Sequence, residues 1–489
     1  MDQLKRVLRL WPWLAAIATG LLYRACFAPF NQAWLCWIAL TPLLAAVWFS
    51  GGNSKRRRGR DLLLGYVAGV TFFWGVFSWL HTVTVPGLVL VGLYMGVYFA
   101  VWTWLAGVLN PETAARSAEK QLTGLDAVTQ RVAAKRAASR GRPLDAPGVV
   151  SSPGATVDPA LQHSPWLSSL KNLRLAFLLS AAFVALELVR SLLFSGWGWN
   201  TLGSALHAQW ALIQIVEFTG VPGLSFLVAF TNVILLATVR RFILESQVRK
   251  SRPHFDLTIT AAAILGVISF GIRAVQVKQP STAVRIAALQ PNIPREQKFD
   301  ANFATATFAK FEQLSELALQ SKPDLLIWPE SSMPDPVLPG QASYDFVMNF
   351  AQKTQVDLLL GVIDEDETDA YNAALLVSQG GKLVQTYRKM HLVPFGEYVP
   401  GRHTIPGIGA IVGNQVPADF GFGTRHIVFQ LTRREVKVAP LICFEDTIGE
   451  LTRQFVRNGA NLLANVTNDG WFQRSAGSQQ HLHNAIFRC

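Results

Sequence analysis

The chain has 489 residues, half of them hydrophobic, with 15 Trp, 30 Phe and a formal net charge of +12. So apolar a composition argues against an ordinary soluble protein and makes membrane-spanning segments the first expectation. The charge does not point to nucleic acid: from residue 281 onward there are 18 Lys+Arg against 21 Asp+Glu, so the basic excess belongs to the apolar first part.

Apolar stretches at about 12–28, 34–50, 62–80, 88–109, 173–194, 222–239 and 257–276 predict seven spans, each near the ~20 residues that cross a bilayer as a helix. Lys5, Arg6 and Arg9 precede the first, "SKRRRGR" (54–60) follows the second, and "VRRFILESQVRKSR" (239–252) follows the sixth. Arg116, Lys120, Arg131, Lys135, Arg136, Arg140, Arg142 and Lys171 lie between the fourth and fifth. The alternate loops, "PFNQA", "HTVTVPG" and "SGWGWNTLGSALHAQW", have no Lys or Arg. The positive-inside rule then places the N-terminus in the cytoplasm, and an odd number of crossings places everything after about residue 278 outside. The first stretch has no small-residue cleavage site and reads as an anchor. Arg24, Glu187 and Arg190 fall in or at the end of spans, where snorkelling, pairing between helices and contact with a lipid headgroup all remain open. Residues 111–165, rich in Ala, Arg, Ser and Pro, read as a disordered cytoplasmic insertion with no assigned function. The membrane domain is thus 1–278, followed by a second domain at 281–489.

In that second domain the periodicity changes. Strands are predicted at 284–292, 324–331 and 357–364, with helices at 303–320 and 343–354. Residues 371–389 read as two strands around a Gly-Gly turn. Residues 426–445 read as a strand pair turning at 432–435, followed by a helix over 446–460 stopped by Gly459 and a strand at 461–469. The fold class is α/β, with mixed or paired sheets and helices outside.

Three strand ends carry unusual residues: Glu330 in "WPES", Lys389 in "YRKMHLVPFGEYVP" (387–400) with Glu397 after it, and Cys443 in "PLICFED" (440–446). Taken singly, each has a bland reading: a loop-capping acid, a solvated lysine, a buried inert thiol. Together they supply a base, an electrostatic stabiliser and a nucleophile, the parts of covalent acyl transfer. Cys443 is expected at a strand end directly before a helix, where the helix N-terminus and a nearby ammonium lower the thiol pKa. His391 is the nearest histidine candidate, and its loop gives it no special role, so a Cys–His protease fits poorly. The cysteines Cys26, Cys36, Cys443 and Cys489 include no CxxC and form no disulfide framework.

Glu in "WPE", Lys in "YRK" and Cys in "ICFE", in that order, resemble the Glu-Lys-Cys triad of the nitrilase superfamily. "FAPF" (27–30), "WIALTPLL" (37–44), "LVRSLLFSGWGWNTLG" (188–203), "LQPNIPREQKFD" (289–300), "HLVPFGEYVP" (391–400) and "NDGWF" (468–472) further resemble the apolipoprotein N-acyltransferases, over nearly all of the chain except 111–165. The resemblance implies an α-β-β-α sandwich on a multispan base. It implies transfer of an acyl chain from a membrane phospholipid, through a Cys443 thioester, to the α-amine of a diacylglyceryl-cysteine lipoprotein. Glu330 would be the general base and Lys389 the stabiliser of the tetrahedral intermediates. Glu397 and Glu445 would support the site, and the Phe444 N–H would be an oxyanion donor. No cofactor, metal or nucleic acid is implied; the expectation is a monomer in the bacterial inner membrane with its catalytic domain on the periplasmic face. The ending "NAIFRC" looks like the start of a helix, and the family continues with further strands and an eighth span, so the catalytic domain is expected to be C-terminally incomplete. Two rivals are a membrane-anchored nitrilase-type amidase, with water as acceptor, and a multispan transporter or receptor in which Cys443 is dispensable.

Overall fold

The computed structural model describes residues 2–50, 54–109, 164–193, 196–247, 252–277, 283–402, 404 and 418–489. The expected insertion at 111–165 lies almost entirely outside them. The chain divides into two compact units: Met1–Val76, Leu90–Glu187 and Ala208–Arg273 form one, and Phe77–Val89, Leu188–His207 and Ala274–Cys489 the other.

The first unit is helical, built on α1 (Asp2–Ala25), α2 (Thr41–Phe49), α3 (Ser54–Val76), α4 (Val85–Val108), α5 (Pro165–Leu192), α6 (Val216–Gln247) and α7 (Phe255–Gln276). Among the described residues, α4, α5, α6 and α7 are long and apolar enough to cross a membrane. The stretch at 34–50 is not the single helix expected. A 3-10 turn, Ala33–Trp37, precedes α2, which opens on Pro42. Proline lacks an N–H and is favoured in a first helical turn, so the helix restarts there. Asn232 of α6 bridges the break: its Oδ1 accepts from Leu40 N at 2.9 Å and its Nδ2 donates to the Cys36 carbonyl at 2.9 Å. Away from water, backbone groups freed by such a break need partners of this kind. The Arg24 guanidinium lies over the Phe30 ring, 4.5 Å from its centroid. Asp256 of α7 is fully buried, 3.3 Å from Arg241 of α6 and within hydrogen-bond distance of Ser169 of α5. A buried charge is tolerated when paired in this way.

The second unit holds two sheets. In the first, β1 (Ile286–Ala288), β2 (Leu325–Trp328), β3 (Asp357–Glu365), β4 (Ala370–Ser378) and β5 (Lys382–Arg388) lie in chain order, with β1 to β3 parallel and β3 to β5 antiparallel. In the second, β6 (Phe429–Gln430), β7 (Lys437–Ile442) and β8 (Leu462–Val466) pair in order, β7 and β8 in parallel. Alternate residues of β2 and β3 enter two cores. Leu326, Trp328, Leu358 and Leu360 pack beneath α8 (Ala304–Leu319) and α9 (Ala342–Thr354), with Phe311, Val347 and Phe350. Leu325 and Leu359 instead meet Phe429, Val438, Leu441 and Val466 of the second sheet. Because both faces are covered, these strands read as continuous apolar runs rather than alternating ones. The crossover helix α10 (Gly449–Arg457) adds Leu451 and Phe455 to the inter-sheet core, and Gly459, at φ 95°, follows its C-terminus.

Two expectations change. The first strand of the 426–445 pair shrinks to the two residues of β6, since 420–428 run without regular structure. The "NAIFRC" segment does not begin a helix: it completes α11 (Gly477–Ala485) and a 3-10 turn, Ile486–Arg488.

Gly361 on β3 shows how the sheet positions the strand end after β2. A Cβ there would stand 2.5 Å from Glu330 Cα and 2.8 Å from the Pro329 carbonyl oxygen. Both are backbone atoms that no side-chain rotation moves aside. Gly361→Ala is therefore expected to destabilise the second unit by about 1–3 kcal/mol, the usual range for overpacking. A lowered thermal midpoint in detergent would show this, and an unchanged midpoint would contradict it.

Candidate active site

Four strand ends converge. Glu330 follows β2, Lys389 follows β5, Cys443 follows β7, and Thr467–Asp469 follow β8. Lys389 is only 1 % exposed, and its Nζ donates to Glu397 Oε1 at 2.9 Å and lies 3.8 Å from Glu330 Oε1. Burial alone would lower its pKa, but the carboxylates of Glu397 and Glu330 outweigh burial and raise it, so the amine stays an ammonium. Glu330 Oε2 accepts from Asn468 N at 2.8 Å, and Glu397 Oε2 accepts from Val393 N at 2.7 Å. Glu397, in the loop after β5, thus enters the site.

Cys443 departs from expectation in two ways. It does not open an α-helix: it begins a five-residue 3-10 turn, Cys443–Thr447, and α10 starts only at Gly449. A turn this short carries no macrodipole of note. Cys443 itself is left-handed, at φ 52°, a conformation that costs a non-glycine residue roughly 1 kcal/mol or more. The second departure is its pKa. Burial, with the Glu330 carboxylate, pushes the partly exposed thiol well above its usual range, against the opposing pull of Lys389 and a Thr467 hydrogen bond. At neutral pH Cys443 is therefore a thiol.

Glu445 is fully buried beneath this elbow. Its Oε1 accepts from the Tyr387 hydroxyl at 2.9 Å, Met390 N at 2.8 Å and His391 N at 3.1 Å, while Oε2 accepts from Ile442 N at 3.0 Å. Burial raises its pKa to about 7 against these donors and the Lys389 charge. Glu445 therefore clamps the end of β5 and its loop to the turn carrying Cys443. Phe444 is buried, its ring 6.3 Å from that of Trp197. Its N–H lies in the first turn of a helical segment, where amides lack intrahelical partners. The aromatic loop 196–207 packs on the site: Trp199 stacks on His481 at 5.3 Å, and Asn200 Nδ2 donates to Gln480 Oε1 at 2.8 Å.

Several residues of the site were not singled out from the sequence. Asn372 of β4 donates to Glu330 and Glu397. Lys298 is buried and donates to the Glu330 carbonyl at 2.7 Å; burial lowers its pKa to about 8, opposed by Glu330 and Cys443. His481 of α11 contacts Asp469 Oδ1 through Nδ1 at 2.9 Å, and through Nε2 both Asp446 Oδ1 and the Cys443 carbonyl at 3.2 Å. Polar clusters at the strand end in "VTNDGWF" and along "QQHLH" carried a signal, but linking them to Cys443 needs the fold.

Burial would lower the His481 pKa, yet Asp446 and Asp469 raise it to about 10. A raised pKa means that the buried imidazolium stabilises fully below pH 6.5 and that this contribution is lost as pH climbs toward 10. The thermal midpoint of the purified chain is expected to fall between pH 7 and pH 10, with a shallower fall and a lower starting point in His481→Leu. Equal pH slopes in the two proteins would contradict this charge assignment.

Residues 285–485 match a family model described as carbon-nitrogen hydrolase. Residues 19–122 and 154–234 match one described as the apolipoprotein N-acyltransferase N-terminal domain. An apolipoprotein N-acyltransferase of Geobacter metallireducens is 29% identical over 97% of this chain and 81% of its own length. Another, of Chlorobaculum tepidum, is 31% identical over 60% of this chain and 59% of its own length. Among solved structures, an amidase from Nesterenkonia sp. aligns with 39% of this chain and 66% of its own at 18% identity and a TM-score of 0.29. With these two family models matching successive parts of it and relatives aligned along nearly its whole length, the chain is similar throughout to apolipoprotein N-acyltransferases.

Proposed function

We propose that the protein moves a fatty acyl chain from a membrane phospholipid to the N-terminal α-amine of diacylglyceryl-cysteine lipoproteins, by way of a thioester on Cys443. The observation that carries this reading is the convergence of Glu330, Lys389 and Cys443 in a chain whose relatives bear that name.

In the first half-reaction Glu330 takes the Cys443 proton and the thiolate attacks the ester carbonyl. The oxyanion that forms is stabilised by the Lys389 ammonium and the Phe444 N–H. Collapse breaks the C–O bond, and the glycerol oxygen takes the proton back from Glu330, releasing lysophospholipid and restoring the carboxylate. In the second half-reaction the lipoprotein amine attacks the thioester and gives its proton to Glu330. Collapse then expels the Cys443 sulfur, which is reprotonated. The first half carries the thiol proton away on the glycerol oxygen and the second returns a proton from the amine to the sulfur, so one full turnover leaves the proton count of the site unchanged. A thioester is more readily aminolysed than an ester, so the amide-forming step draws the overall ester-to-amide exchange forward, provided that water is kept out. The aromatic packing of Trp197 and Phe444 supports such exclusion.

The reading carries a topology with it: seven spans, a cytoplasmic N-terminus, and a catalytic unit at the outer face of the bacterial inner membrane, where both lipid-anchored substrates reside. Alternation of basic and neutral loops supports it. The protein is proposed to act as a monomer.

The test is the N-terminal chemistry of lipoproteins in cells where this chain is the sole N-acyltransferase. The unaltered protein is expected to yield triacylated lipoproteins with a blocked amine. Cys443→Ser and Glu330→Gln are expected to leave diacylated forms with a free amine. Lys389→Met is expected to lower turnover about 10²–10³-fold, the typical loss of an oxyanion-stabilising group. Triacylated lipoproteins in Cys443→Ser cells would overturn the reading.

A further inference from the structure

Asn372 is 4 % exposed and lies between the two carboxylates of the site. Its Nδ2 donates to Glu330 Oε1 at 2.7 Å and to Glu397 Oε1 at 2.6 Å. Its main-chain carbonyl accepts from Lys389 N at 2.8 Å, which fixes the root of the lysine to the same strand. Both acids therefore present Oε1 to the same two donors, the Asn372 amide and the Lys389 ammonium. The amide oxygen has no hydrogen-bond partner among the described residues. A buried acceptor left unpartnered costs about 1–3 kcal/mol. Turning the amide over would not relieve it, because Oδ1 would then face two carboxylates. The orientation is dictated by the acids, and stability is given up to keep both N–H bonds on them. Unsatisfied buried groups of this kind call for a functional explanation.

We propose that Asn372 is a positioning residue of the acyl transfer: it tethers Glu330 and Glu397 on either side of the Lys389 ammonium and so keeps Glu330 aimed as the base for Cys443. The proposal rests on the acyl-transfer reading for the role of Glu330. The charged and titratable groups facing Glu330 are Lys389 at the end of β5, Glu397 in the loop after it, Lys298 before α8, and Cys443 after β7. Without the shared amide, Glu330 and Glu397 lose the one neutral donor that ties them together, and neither side chain keeps its place against Lys389. Asparagine does what aspartate of equal size cannot, since it donates to both acids and adds no charge.

The experiment measures alkylation of Cys443 by iodoacetamide in the full chain in detergent, resolved from the other cysteines by peptide mass spectrometry, across pH 5–10. Asn372→Asp is expected to move the midpoint of reactivity up by about one pH unit or more, the effect of a like charge at this range. Asn372→Ala removes the donor without adding charge, and is expected to move it in the same direction by less. In both variants, acylation of Cys443 from phospholipid at pH 7 is expected to fall at least about tenfold, because misplacing a reacting group by about an ångström can cost on the order of 10²-fold. A purely structural asparagine would lower the thermal midpoint and leave the pH midpoint in place. Midpoints matching the unaltered protein in both variants would overturn the proposal. Alkylation involves neither lipid nor amine, so it judges Asn372 even if the unaltered chain forms no acyl adduct, a result that would count against the proposed function instead.

Discussion

The site depends on one buried ammonium. Lys389 has almost no contact with solvent, so its charge must be met inside the protein. Glu397 meets it at 2.9 Å and Glu330 stands 3.8 Å away. Burial, with the Glu330 and Glu397 carboxylates, holds the neighbouring thiol in its protonated form against the pull of Lys389. The nucleophile is thus masked at rest. In the proposed mechanism it is released when its proton moves to Glu330, a transfer within the cluster that leaves the total charge unchanged. An ammonium fixed beforehand at this place needs no reorganisation as an oxyanion develops, which is the condition for electrostatic stabilisation to lower a barrier.

The geometry follows from where the strands stop. β2 and β5 of the first sheet and β7 and β8 of the second deliver their last residues to one region, and Gly361 lets β3 approach the Glu330 backbone closely. Glu445 then ties the loop after β5 to the turn carrying Cys443, and His481 ties that turn to the end of β8. The left-handed Cys443 is held by these contacts rather than by its own backbone preference.

The second unit was largely legible in the sequence, because its strands are short apolar runs bounded by Pro, Gly and Asn, and its helices show a 3.6-residue period. Glu330, Lys389 and Cys443 stood out because each ends such a run. Asn372, Lys298 and His481 did not, since a polar residue inside a strand, a short turn or a helix gains meaning only from its spatial neighbours. The thiol pKa was misread for a related reason: the sequence reveals a nearby lysine, while burial and two flanking acids are properties of the fold. In the helical unit, four apolar helices matched the hydropathy reading. The break at 38–40 escaped it, because the partner that permits the break, Asn232, is nearly 200 residues away.

The most direct measurement takes the full chain into phospholipid bilayers without any lipoprotein acceptor and maps covalent adducts by mass spectrometry. One fatty acyl group on Cys443, removed by neutral hydroxylamine and absent after Glu330→Gln, is the expected result. A folded protein in which Cys443 stays unmodified, or in which the acyl group sits on another residue, would contradict a thioester route through Cys443.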